Sequence, residues 1–224
     1  MQRHRVQAPE VPTAAPHPHT TGHKLRSAVF DLETTSLEGV GAGMLLCGCV
    51  RSLSNGKTRT FKLDDYKYDP SPEFGMFERQ ERDLVAALVG ELEQYDLLIG
   101  HNIDRFDLHF LRTRAYVHKL PFCMTPLTYD TMTAFRRVGM RTVMNAVGKP
   151  TARMDMIADF LGLDQLKTKI YPVDWWQTIW GSDKDRAEAL SDIVDHCVRD
   201  VRMNYQIYER LLPVDEKAVI RRWR

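Results

Sequence analysis

Carboxylates at the end of a strand give this sequence of 224 residues its clearest chemical signal. Asp31 and Glu33 follow the apolar run 28–30, and alternate side chains of an extended strand project to one face. Two like charges at close range disfavour ionisation, so the pair is costly unless a cation compensates or the chain simply enters solvent. This motif alone leaves a metal site and a polar strand end both open.

Two later segments add carboxylates to predicted helices. Asn102 follows a short buried strand and can cap the next helix, whose first turn carries Asp107. His196 and Asp200 are four residues apart in a long helix, so they share a face beside its apolar stripe. Taken singly, these acids are equally explained by a favourable charge near a helix N-terminus or by a pair on a solvated edge.

Considered together, the acids favour a metal site more strongly than each does alone. Strand ends and helix starts of an α/β sheet meet at one edge, where the four carboxylates would converge. Such hard oxygen ligands suit Mg²⁺ or Mn²⁺ and do not suit zinc or copper. The set consists of Asp31, Glu33, Asp107 and Asp200.

Hydrophobic periodicity predicts the elements that position these residues. Three strands come first, at 28–30, 44–50 and 57–63, and Asn55-Gly56 marks a hairpin between the last two. Apolar stripes predict helices at 78–95, 105–119, 151–161 and 186–212, with short strands at 97–99 and 127–130. This order predicts an α/β fold with a mixed central sheet, antiparallel strands first and parallel strands after, flanked by helices.

Composition separates a globular body from two basic ends. Apolar residues make up 43% and charged residues 27%, which excludes collagen-like, wholly disordered and disulfide-scaffold chains. We expect a disordered Pro/His-rich leader over 1–24, one domain over 25–212 and a basic tail over 213–224. Residues 27–212 hold 23 basic and 27 acidic residues, which argues against tight, salt-driven wrapping of nucleic acid.

The cysteines and the hydropathy indicate a compartment. Cys47 and Cys49 lie on one face of a strand, and no second pair has the spacing of zinc ligands, so we expect buried free thiols. This favours a reducing compartment, the cytoplasm, nucleoid or nucleus. The leader has no apolar signal region, so secretion is not expected. No stretch approaches the roughly 18 apolar residues of a membrane span, and no membrane partner is expected.

Three segments together resemble the motifs of the DEDD-type 3′–5′ exonucleases, which have the ribonuclease H-like fold. They are FDLETTSL at 30–37, GHNIDRFDLHFLRTRA at 100–115 and HCVRDVRMNYQIYERL at 196–211. The last two resemble most the proofreading exonuclease domains of family-B DNA polymerases. The resemblance covers roughly 25–212, and a free-standing exonuclease is the expectation.

Two positions depart from the family pattern. Ser36 stands where the first motif commonly has glycine. His196 lies four residues before Asp200, the spacing at which one DEDD subgroup has tyrosine, whereas the other subgroup has histidine five residues before it. Asp195 occupies that second position here, so we interpret His196 as the counterpart of the tyrosine.

The resemblance implies phosphodiester hydrolysis with two Mg²⁺ or Mn²⁺ ions. Asp31, Glu33 and Asp200 would hold one ion. Asp31 would bridge to a second, which Asp107 would reach directly or through water. His196 would act as general base. An ordinary histidine has a pKa of about 6.5, so it can accept a proton at neutral pH, whereas tyrosine, with a pKa of about 10, is mostly protonated there.

The expected substrate is a 3′ end that enters the site unpaired, so single-stranded or frayed DNA is favoured over RNA. The resemblance implies substrate contacts from Thr34, Thr35, Leu37 and Asn102. An exoribonuclease of the same fold and a non-cleaving module that binds nucleic acid or a partner are the alternatives. A replication or repair protein is a further possible partner.

Aromatic residues between the second and third motifs leave two interpretations open. Trp175, Trp176 and Trp180 either pack a long connection onto the core or stack on bases, as aromatic side chains do in single-strand binders.

Overall fold

The computed structural model describes residues 25–36, 43–66, 78–145, 147–163, 172–215 and 220–223. The predicted leader, 1–24, lies outside these residues, and so does Leu37. Among the described residues, none of the helices combines the length and the apolar character that crossing a bilayer would require.

A six-stranded mixed sheet forms the centre of the fold, as the sequence predicts. Its strands are β1 (Ser27–Thr34), β2 (Leu45–Ser52), β3 (Thr58–Lys62), β4 (Leu97–Gly100), β5 (Leu127–Asp130) and, late in the chain, β8 (Arg221–Arg222). The order across the sheet is β3-β2-β1-β4-β5-β8. The first three strands are antiparallel, while β4 and β5 run parallel to β1. The carboxyl ends of β1, β4 and β5 therefore share one edge.

Helices flank this sheet, and a small ribbon stands apart from it. The helices are α1 (Glu78–Leu92), α2 (Asp107–Val117), α3 (Thr131–Phe135), α4 (Met154–Phe160), α5 (Pro172–Trp180) and α6 (Asp183–Leu211). The ribbon pairs β6 (Val143–Met144) with β7 (Pro150–Thr151). α6 packs on β1 and β2, and α5 packs on α6.

Local chemistry explains where these elements begin. Gly56 has φ +68°, which a hairpin turn requires, and the Asn55 side chain accepts a hydrogen bond from the Lys57 amide at 2.9 Å. α6 begins three residues earlier than its apolar stripe predicts, because Ser182 caps it by accepting from the Asp185 amide at 3.3 Å. α3 and α5 have no predicted counterpart; the Asp130 side chain caps α3 by accepting from the Thr133 amide.

The end of the chain differs from the expected basic tail. Arg221 and Arg222 pair with β5 as the antiparallel strand β8. Trp223 is only 6% exposed, and its indole N–H donates to the Asp104 carbonyl at 3.4 Å. The Arg112 guanidinium lies 4.5 Å from the centre of the Trp223 ring. Residues 220–223 are therefore part of the folded domain.

Candidate metal centre

The first pair of acids lies where β1 reaches the shared edge of the sheet. Asp31 pairs with Cys49 and Glu33 with Cys47 on β2, and the register shifts between Glu33 and Thr34. This bulge ends the regular pairing directly after the second acid. Alternation along the strand places both carboxylates on the side of the sheet that α6 covers.

Asp107 reaches the same place from the first turn of α2. It is 3% exposed. Burial raises the pKa of Asp107 to about 7; backbone hydrogen bonding at Asp107 and Leu32 opposes this rise and the charge of Asp130 adds to it.

Asp31 lies at the centre of the acidic group. Burial raises the pKa of Asp31 well above its ordinary value, and the charges of Asp107, Glu33 and Asp200 raise it further, in that order. Carboxylates from β1, α2 and α6 therefore raise the charge density around Asp31. Their mutual repulsion is what a bound divalent cation would relieve.

His196 lies between two of these acids. Its Nε2 atom is 3.6 Å from Asp200 Oδ2 and 3.9 Å from Glu33 Oε1. The His196 side chain is buried, since α6 packs directly on β1 and β2 at this level. The tyrosine-like spacing thus directs the imidazole into the acidic group.

Three buried cysteines, Cys47, Cys49 and Cys197, lie close to the acids of β1. Cys197 Sγ is 3.4 Å from the Asp31 carbonyl oxygen and 3.8 Å from Asp31 Oδ2. Burial raises the pKa of Cys47 and of Cys197 well above the ordinary value, so these groups remain thiols. The expectation of buried free thiols is correct for Cys47, Cys49 and Cys197, whereas Cys123 is free but exposed.

The donor atoms fit a divalent ion. Two sets bring their ligand atoms within 4.8 Å of one another: Asp31, Glu33 and Cys197, and Glu33, His196 and Asp200. Glu33 belongs to both sets. Carboxylate oxygens form most of the two sets, to which His196 adds a nitrogen donor and Cys197 a sulfur donor.

A groove of about 330 Å³ opens beside Glu33. Its lining residues are Leu32, Glu33, Thr34, Thr35, Ser36, Phe106 and Trp175. The hydroxyls of Thr34 and Thr35 shape its wall, because Thr34 Oγ1 donates to the Ser36 carbonyl at 2.8 Å and Thr35 Oγ1 accepts from the Met44 amide at 2.9 Å.

Two aromatic residues line the groove: Phe106, which was not among the predicted substrate contacts, and Trp175, for which the sequence left base stacking and core packing both open. Phe106 is part of the second motif, whose Asn-x-x-x-Phe-Asp pattern was a signal for it. Trp175 comes from α5 and reaches the groove only through the packing of α5 on α6. Trp180 on the same helix is 72% exposed and does not line it. The side chain of Trp176 is outside the described part of the chain.

Asn102 occupies the turn after β4 and is not part of the groove lining. It adopts φ +64°, a left-handed conformation, and its amide donates to Asp130 Oδ1 at 3.3 Å. The neighbouring His101 contacts Thr131 Oγ1 at 3.0 Å and the Ala152 carbonyl at 2.9 Å. The structure thus gives Asn102 a role in shaping the loop that carries Asp107.

Comparison with known proteins agrees with this architecture. A solved structure similar to this chain is the family B DNA polymerase from the hyperthermophilic archaeon Pyrobaculum calidifontis, with a TM-score of 0.59 and 17% sequence identity. The similarity covers 89% of this chain and 28% of that polymerase, so this chain spans under a third of its length. A search of the curated proteins found no match.

The family assignment rests on the sequence of nearly the whole domain. The family model of the RNase_H superfamily matches residues 28–212, from β1 to the end of α6. This range contains all four acids of the candidate centre. The mixed sheet, the acidic edge and this match agree that the chain belongs to the RNase H superfamily.

Proposed function

We propose that this chain is a metal-dependent 3′–5′ exonuclease that releases nucleotides from single-stranded or frayed DNA. The observation that carries the proposal is the crowding around Asp31, whose pKa is raised by burial and by the charges of three other carboxylates. Such repulsion in a buried group is expensive unless cations offset it. DNA is favoured because the similar solved structure is that of a DNA polymerase.

Each acid has a place in this proposal. Asp31, Glu33 and Asp200 would hold one divalent ion, and Asp31 and Asp107 would hold the second. Divalent ions held by these acids would stabilise the charge on the attacking and the leaving oxygen of a phosphodiester. Because that positive charge would come from the ions, the protein itself need not be basic there.

The groove beside Glu33 is suited to the terminal nucleotide. Phe106 and Trp175 offer aromatic surface to a base, and residues 34–36, which follow Glu33, also line the groove. A base can stack there only if it is unpaired, which favours single-stranded or frayed 3′ ends. Backbone atoms of residues 34–36 would orient the sugar and phosphate toward the acids.

A labelled-oligonucleotide assay tests the proposal. DNA labelled at its 5′ end should shorten one nucleotide at a time with Mg²⁺ or Mn²⁺, and not with EDTA. Asp31→Asn and Asp200→Asn should each lower the rate by about 10²–10³-fold or more, since each removes a ligand. Asp195→Asn is the matched control, because Asp195 is exposed on α6 and paired with Arg199 at 2.8 Å.

The same assay separates the alternatives. Matched RNA digested faster than DNA would make the chain an exoribonuclease. Mn²⁺ binding without nucleotide release would identify a non-cleaving module. Wild-type rates in either Asp31→Asn or Asp200→Asn would refute a role for the acids in catalysis.

A further inference from the structure

We infer that His196 binds the metal ion directly through Nε2, which makes this centre selective for Mn²⁺ over Mg²⁺. The inference rests on the proposed metal centre but not on its nuclease activity. It also replaces the role of general base that the family resemblance implies for this residue.

The distances around Nε2 support ligation. The Nε2 atom of His196 lies 3.6 Å from Asp200 Oδ2 and 3.9 Å from Glu33 Oε1. Two ligand atoms that each lie about 2.1 Å from one ion are about 3.0 Å apart at a right angle and about 4.2 Å apart when opposite. Both separations fall inside this range.

Glu33 and Asp200 complete the set with His196. The three ligand atoms all lie within 4.8 Å of one another. This bound is wider than the limit of about 4.2 Å for two ligands of one ion, so small side-chain shifts would let one ion contact all three. His196 and Asp200 are one helical turn apart on α6, an arrangement by which helices present two metal ligands on one face.

Packing holds the donors in place. His196 is 8% exposed and Asp200 is 6% exposed, so neither side chain is free to turn into solvent. Between them in sequence, Cys197 contacts the Asp31 carbonyl and fixes the rotation of α6 against β1. The imidazole therefore faces the acids before any ion arrives.

Ligation has two chemical consequences. Imidazole nitrogen binds first-row transition ions more readily than it binds Mg²⁺, whereas carboxylates accept Mg²⁺ and Mn²⁺ alike. A centre with one nitrogen and several carboxylate oxygens should thus favour Mn²⁺. The Nε2 lone pair that holds the ion also cannot accept a proton from water, so ligation and base catalysis exclude each other.

Pulsed electron paramagnetic resonance of the Mn²⁺-loaded full chain tests the inference. Wild-type protein should show ¹⁴N modulation from a bound imidazole, and labelling with ¹⁵N-histidine should replace it by the ¹⁵N pattern without any mutation. The modulation should vanish in His196→Gln and persist in His109→Gln, since His109 is exposed and packs against Trp223 instead.

Metal affinities give a second measurement. Calorimetric titration should show that His196→Gln weakens Mn²⁺ binding by about tenfold or more and weakens Mg²⁺ binding by a smaller factor. Absence of nitrogen modulation in the wild type, or its persistence in His196→Gln, would overturn the inference, as would an equal loss of both affinities. Nitrogen modulation in a protein that releases no nucleotides would instead refute the proposed function and leave the ligation intact.

Discussion

Cys197 Sγ donates a hydrogen bond to the Asp31 carbonyl oxygen at 3.4 Å, which joins α6 to the end of β1 across 166 residues of sequence. Cys197 follows His196 directly and lies three positions before Asp200 in the third motif. Because Cys197 is fully buried and Asp31 is half-buried, this contact keeps the first and third motifs aligned. The acidic group is therefore assembled by packing, and a bound ion has only to neutralise it.

Metal binding should stabilise the fold strongly. Mn²⁺ present at about 100-fold above its dissociation constant adds about 2.7 kcal/mol to the free energy of unfolding, or roughly 5–10 °C to the Tm of a chain of this size.

Asp31→Asn should raise the Tm of the metal-free protein, since it removes the carboxylate that three others repel. The same variant should lose most of the rise caused by Mn²⁺. Thermal unfolding followed by circular dichroism, with EDTA or Mn²⁺, measures both effects. A metal-free Tm below that of the wild type would contradict this account.

Removing the groove tryptophan should weaken substrate binding more than chemistry. Stacking of a base on an aromatic side chain contributes about 1–3 kcal/mol, so Trp175→Ala should raise KM for single-stranded DNA by about 5–150-fold. Trp180→Ala is the control on the same helix, because Trp180 is exposed and outside the groove. Steady-state kinetics on a short oligonucleotide should separate the two variants. Equal KM values would rule out stacking on Trp175.

A buried ion pair between α1 and α2 should dominate the response to acid. The Glu81 carboxylate accepts from Arg114 at 2.6 and 2.5 Å, from His118 at 2.9 Å and from the Leu45 amide at 2.8 Å. Burial raises the pKa of Glu81, but the hydrogen bonds of His118 and Arg114 outweigh it, so the net pKa is lowered. Its contribution to stability is therefore present above the ordinary pKa and is lost as the pH falls below about 4.5.

Glu81→Gln tests that contribution. The variant should cost about 3–5 kcal/mol at pH 7, because it leaves Arg114 buried without its anion, and it should flatten the loss of stability in acid. Asp83→Asn, which breaks the exposed pair with Arg82, should change stability by about 1 kcal/mol or less. Urea denaturation at pH 3 to 7 measures both. If the free energy of unfolding of Glu81→Gln fell with pH as steeply as that of the wild type, Glu81 would not be the cause of the loss of stability in acid.

Trp223→Ala should destabilise the domain although it lies far along the chain from the acids. Loss of a buried tryptophan costs about 3–5 kcal/mol, and here it also removes the contacts with Arg112 and His109. Activity measured well below Tm should be close to that of the wild type. Urea denaturation measures the loss of stability, and nucleotide release at low temperature measures the activity. A stable but inactive variant would mean that Trp223 serves the site.

Long elements and the acidic edge could be predicted from the sequence, because periodicity and the ends of parallel strands determine them. α3 and β8 could not be predicted, since five and two residues are too short for a periodic pattern and depend on tertiary contacts. Trp175 reaches the groove only through the packing of α5. The position of His196 Nε2 depends on the rotation of α6 about its axis, which the four-residue spacing alone leaves undetermined.

β8 also affects whether copies of the protein can associate through the edges of their sheets. An open strand edge is a template on which a second chain can extend the sheet, and this is a common route to aggregation. On one side, β8 covers part of the edge of β5 with two arginines. On the other side, the outer strand β3 is short and carries Arg59 and Lys62, which pair with Glu91 and with Asp64. Both margins of the sheet therefore disfavour edge-to-edge polymerisation, and the protein should stay dispersed at high concentration.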